Sequence, residues 1–137
     1  MTKPIRILVV HSDSADLAVI ASVAAAQSFE LRVLESHADL VAEAESYWPD
    51  AVILDVKQRE GDGFTLCAAL KGDQRTTGIP VVLVSAADDP TVRRRAIAAG
   101  CDDFLAKPIQ RDVLAHRLHS FARLRRAWLE QWVELPE

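Results

Sequence analysis

The 137-residue chain is half apolar and 26% charged, enough for one hydrophobic core and ordinary for a globular chain, which argues against disorder and against a fibrous protein. Its 16 Lys and Arg stand against 20 Asp and Glu, a formal net charge of -4, so the overall charge gives no reason to expect nucleic acid or an anionic membrane as a partner. No run approaches the roughly 18 to 20 apolar residues of a membrane span, and Met1 to Arg6 leads into a strand-like segment instead of a signal peptide, so a single cytoplasmic domain is expected.

In chain order, apolar runs at 5–10, 31–34, 51–54, 81–84 and 104–106 are short and rich in β-branched residues, which predicts strands. Leu17, Ile20, Ala21 and Ala24 recur at helical spacing in the first interval, and Leu40, Val41, Ala44 and Tyr47 in the second. A third helix is predicted over 64–71 with Leu66, Ala69 and Leu70 inward, and a fourth over 91–99, opened by Pro90 and stopped by Gly100 in a left-handed cap. Strands buried on both faces read as unbroken apolar runs, and parallel neighbours need crossovers of about a dozen residues. The alternation therefore predicts an α/β fold, a doubly wound (βα)5 sandwich around a five-stranded parallel sheet. Cys67 and Cys101 have neither C-x-x-C spacing nor nearby His, so they read as small core side chains and not as a zinc site or a disulfide.

In such sheets ligands bind beyond the carboxyl ends of the strands. His11, Ser12 and Asp13 follow the first strand, Asp55 the third, Ser85 the fourth, and Lys107 with Pro108 the fifth. The first turn has neither a G-x-G-x-x-G nor a G-x-x-x-x-G-K-[ST] pattern, and no G-x-S-x-G occurs, which excludes dinucleotide sites, P-loops and the hydrolase elbow. A strand-end aspartate with a hydroxyl and an ammonium on neighbouring strand ends suits a carboxylate nucleophile, with Ser85 and Lys107 holding its phosphoryl adduct.

Four motifs sit at these positions: Ile7-Leu8-Val9-Val10; Pro49-Asp50-Ala51-Val52-Ile53-Leu54-Asp55 with Asp62-Gly63-Phe64; Ile79-Pro80-Val81-Val82 running to Ser85-Ala86; and Ala99-Gly100 running to Lys107-Pro108. Together they make residues 5 to about 122 resemble the receiver domain of two-component response regulators, the family that includes the chemotaxis response regulator. The resemblance implies a flavodoxin-like receiver fold with strand order 2-1-3-4-5. It also implies a phosphorelay role with Asp55 as phospho-acceptor, Ser85 and Lys107 contacting the phosphoryl group, and Phe104 as the aromatic switch. A sensor histidine kinase or phosphotransfer protein would be the partner, and no enzymatic output of its own is expected.

Family members place two acidic residues after strand one, which hold Mg2+ together with the acceptor and a backbone carbonyl two residues later. Here those two positions are His11 and Ser12. Magnesium prefers octahedral oxygen ligands, so the change predicts weak or absent binding, with Asp13, Asp55 and the Lys57 carbonyl as the remaining candidates. For Asp13, helix capping is the more ordinary role. The Lys57 ammonium is a candidate to replace the metal beside Asp55, and His11 a candidate pH-sensitive neighbour.

The last helix is predicted from Gln110 through Val133 on the spacing of Val113, Leu114, Leu118, Phe121 and Leu124. Its length divides the chain into a receiver at 1–123 and a helical extension at 124–137. Trp128, Leu129, Trp132 and Val133 on that extension suggest a homodimer contact or a linker. The function expected is an atypical receiver, phosphorylated on Asp55 or degenerate with impaired Mg2+ binding. The alternatives are a phosphorylation-independent interaction module and an aspartate-nucleophile phosphohydrolase, the latter opposed by the absence of D-x-D after strand one.

Overall fold

A computed structural model describes residues 3–10, 13–58 and 61–134. Strand and helix alternate without exception: β1 (Arg6–Val10), α1 (Ser14–Gln27), β2 (Glu30–Leu34), α2 (Leu40–Tyr47), β3 (Ala51–Asp55), α3 (Gly63–Gly72), β4 (Val81–Ser85), α4 (Pro90–Ala99), β5 (Asp103–Ala106) and α5 (Arg111–Glu134). All strands are parallel in one sheet of order β2-β1-β3-β4-β5, as the resemblance implied.

Because side chains alternate along a strand, each strand feeds two cores. Leu8, Val10, Val52, Leu54 and Leu83 point to one face, where they meet Leu40, Ala44, Phe64, Cys67, Leu70 and Ala96 of α2, α3 and α4. Ile7, Val9, Ile53, Val82 and Val84 point to the other and pack on Ile20 and Val23 of α1 and Leu114 and Leu118 of α5. That two-sided burial is why β3 and β4 carry no polar residue before their last positions, Asp55 and Ser85.

Local signals set the helix ends. Asp13, Asp62 and Asp89 cap α1, α3 and α4, accepting from the backbone N–H of Ala15, Thr65 and Val92. Pro90 occupies the first turn of α4, and Gly100 closes it at φ 84°. One expectation of an inward face needs correction. The buried positions of α3 are Gly63, Phe64, Cys67 and Leu70, while Ala69 is exposed and Leu66 half-buried; the helix turns its wider Phe64 edge to the sheet. Ala21 of α1 and Leu124 of α5 are likewise exposed, with Val23 and Ala122 in the buried stripe instead. No helix among the described residues is long and apolar enough to cross a membrane.

Gly63 follows the Asp62 cap and gives its N–H to the Val56 carbonyl at 2.8 Å. A Cβ here would stand 2.3 Å from the Asp55 carbonyl oxygen and 2.9 Å from Val56 Cα. Those are backbone atoms and cannot swing aside. Gly63→Ala is expected to lower stability by about 2 to 3 kcal/mol, measured by urea denaturation, as overpacking against a rigid wall does.

Candidate functional site

The sheet register brings the predicted residues to one edge. Asp55 pairs with Val84, and Ser85 pairs with Ala106, so Asp55, Ser85 and Lys107 end or follow three adjacent strands. The Lys107 N–H donates to the Ser85 carbonyl at 2.8 Å, which fixes the start of its side chain, and the Lys107–Pro108 peptide is cis.

Asp55 is buried, at 7% exposure. Its Oδ1 accepts the Lys57 N–H at 2.8 Å, and its Oδ2 is in direct contact with the Lys107 ammonium. The Gln58 side-chain amide donates to the Asp55 carbonyl at 2.8 Å. Ser85 is buried, and its Oγ accepts the Ala87 N–H at 3.1 Å, which places the hydroxyl at the mouth of the β4–α4 turn.

The Lys107 ammonium has a second carboxylate partner, Asp16 Oδ2, in the first turn of α1. One mostly buried cation is therefore shared by two aspartates from different elements. Burial opposes the charge on Lys107, but hydrogen bonds to Asp16 and Asp55 outweigh it and raise the pKa above the ordinary lysine value.

Asp16 is the site residue that sequence reasoning missed. The turn after β1 ends at Asp13, whereas Asp16 lies three positions further on, already inside the helix. The available signal was its place on the first helical turn, where a carboxylate is favoured and faces the strand ends.

Asp13 takes the capping role favoured for it, and the expectation for the Lys57 ammonium is revised. Asp13 is exposed and spends Oδ1 on the α1 cap at 2.7 Å. Lys57 is exposed and makes no ion pair with a described residue; it reaches Asp55 through its backbone N–H, and the ammonium beside Asp55 is that of Lys107. His11 and Ser12 lie outside the described residues. Among the described residues no group of three His, Cys, Asp or Glu is placed to hold a metal ion.

Phe104, on β5, is half-buried against the α3–α4 core, and the Arg93 guanidinium lies 5.2 Å from its ring centroid. The cysteines are both free; burial pushes the Cys67 thiol up to about 12, in keeping with a core side chain.

A parallel 2-1-3-4-5 sheet with an aspartate, a serine and a lysine gathered at its carboxyl edge defines a receiver-type signalling module. The family model for the response regulator receiver domain matches residues 7–119, and the chain belongs to that family, whose members work in two-component signal transduction. It is 36% identical over 120 residues to the response regulator PleD of Caulobacter vibrioides, covering 88% of this chain and 26% of PleD. It is 30% identical over 125 residues to the protein RcaC of Microchaete diplosiphon, covering 91% of this chain and 19% of RcaC. The chain thus spans about a quarter or less of these relatives. Among solved structures it resembles the signal receiver domain of a signal transduction histidine kinase from Syntrophus aciditrophicus, with TM-score 0.77 and 28% identity over 86% of this chain and 89% of that one.

Proposed function

We propose that this chain is an atypical receiver that accepts a phosphoryl group on Asp55, with Ser85 and Lys107 contacting the transferred group and with weakened magnesium binding. The observation that supports it is the Lys107 ammonium shared between Asp55 and Asp16. Receiver domains typically bind Mg2+ at an acidic pocket and exchange phosphoryl groups with histidine kinases or phosphotransfer proteins. In this chain the carboxylates near the acceptor are already satisfied by a lysine, and Asp13 is held by the α1 N-terminus. The oxygens are of the type magnesium takes, but a cation entering there has to displace the ammonium that already neutralises them.

On this reading the residues themselves do three things. Asp55 presents one oxygen as the nucleophile while the Lys57 N–H orients the carboxylate. Lys107 supplies positive charge where the transferred oxygens develop negative charge. Asp16 holds that ammonium in place. The partner is a sensor histidine kinase or a phosphotransfer protein. Leu124 and Trp128, 66% and 53% exposed and one turn apart on α5, are the contact for a homodimer; the side chains of Trp132 and Val133 lie outside the described residues.

A phosphorylation-independent interaction module is the second reading, favoured by the same pre-paired Lys107. Incubation with acetyl phosphate and magnesium, followed by intact mass, separates the two. One added phosphoryl group that disappears in Asp55→Ala is expected. No mass gain under conditions that label an ordinary receiver would leave the interaction module standing.

A further inference from the structure

At the opposite edge of the sheet, where β1 and β3 begin, the C-terminal half of α5 meets the α2–β3 turn. Between them is a cavity of about 440 Å³, within the size range of small-molecule sites. Pro4, Trp48 and Leu129 give it apolar walls; Lys3, Arg6, Arg125 and Arg126 give it four cationic side chains against the carboxylates of Asp50 and Glu130.

Most of these charges are already matched. Arg126 grips Asp50 through Nε and Nη2 at 3.2 and 2.9 Å, and donates to the carbonyls of Lys3 and Pro4 at 2.8 Å each. Arg6 donates to the Tyr47 carbonyl at 2.8 Å and pairs with Glu30. Arg125 differs. Its side chain is 5% exposed, its Nη1 stands 3.8 Å from Asp50 Oδ1, and its guanidinium lies 4.7 Å from the Trp48 ring centroid.

No hydrogen bond links the Arg125 side chain to any described residue, although a guanidinium carries five N–H donors. Buried donors without partners are uncommon, because each forfeits its bond to water. Burial holds the Arg125 pKa below the ordinary arginine value, with Asp50 opposing and Arg126 adding to that effect.

We propose that this cavity binds a small organic anion, a carboxylate or phosphate head joined to a flat apolar body, with the head on Arg125 and the body against Trp48, Pro4 and Leu129. A guanidinium fork matches either head in a two-point hydrogen bond, and the indole offers the body a flat face. The site is remote from Asp55 and does not depend on phosphorylation.

The test is an NMR titration of the full chain with benzoate, phenyl phosphate and neutral benzamide, read at the Trp48 indole N–H and the Arg125 side chain. Saturable shifts are expected with at least one of the two anions. The tighter of them identifies the head group, and benzamide should bind at least about tenfold more weakly. Arg125→Lys keeps the charge without the fork and should weaken the anion by about tenfold. Should that variant not fold, the contrast between anions and benzamide in the wild-type chain still decides. No saturable shift with either anion up to about 20 mM, or an equal response to benzamide, overturns the proposal.

Discussion

Asp50→Ala is expected to destabilise the fold by about 3 to 5 kcal/mol, the range found when one partner of a buried ion pair is removed. For a domain of this size that is a fall in Tm of roughly 10 °C or more. Asp50 is 4% exposed and sits just before β3. Its Oδ2 accepts the Arg6 N–H at 2.9 Å at the start of β1, and both oxygens bind the Arg126 fork. One carboxylate thus joins β1, β3 and the far half of α5.

Without it the Arg125 charge stays buried with no counter-ion, and the Arg6 N–H loses its acceptor. Surface ion pairs such as Arg75 with Glu45, screened by water, contribute little by comparison. Urea denaturation of wild type, Asp50→Ala and a Glu45→Ala control checks the ranking. Equal losses from the two substitutions would contradict the role given to Asp50.

Lys107→Met is expected to strengthen divalent cation binding at the acceptor pocket by at least about tenfold, the reverse of what removing a functional residue normally does. The ammonium is shared between Asp55 and Asp16, so deleting it leaves two carboxylates facing the space it occupied. At an effective dielectric near 20, each unit-charge pair at about 4 Å is worth roughly 4 kcal/mol before desolvation. Recovering even a third of one such term in favour of the metal is a tenfold gain in affinity. Calorimetric titration of both proteins with Mg2+ and Mn2+ reads the difference.

The same ion pairs make a pH signature. The folded-state pKa of Lys107 is raised, so its contribution to stability is complete below the unfolded lysine value, falls as pH climbs from there through the raised one, and is gone above it. The stability gap between wild type and Lys107→Met should therefore hold at neutral pH and narrow in strongly alkaline solution.

The architecture was readable because it rests on local patterns. Five apolar runs separated by helical spacing specify parallel strands with crossovers, and Pro90, Gly100 and the capping aspartates mark helix ends through short-range hydrogen bonds. The inward face of α3 was misread because Leu66, Ala69 and Leu70 form an apolar arc as plausible as that of Phe64, Cys67 and Leu70; the choice is made by tertiary packing.

At the pocket, Asp55, Ser85 and Lys107 were legible because each ends or follows a strand. The ion pairs of Asp16 there, and of Asp50 at the opposite edge of the sheet, were not, for one physical reason. An ion pair between residues far apart in sequence leaves no periodic trace, and its partners are identified only once the sheet register and helix positions are fixed. The same holds in α5, which runs unbroken from Arg111 to Glu134: Arg125 and Arg126 are tied back to Asp50 by contacts that no local pattern announces.

The cation in the pocket is the chain's own Lys107. The direct measurement is a magnesium titration of the isotopically labelled wild-type protein, following the Lys57 amide that donates to Asp55 Oδ1. No saturable shift below about 10 mM is predicted; a saturable shift with a midpoint below about 1 mM would contradict it.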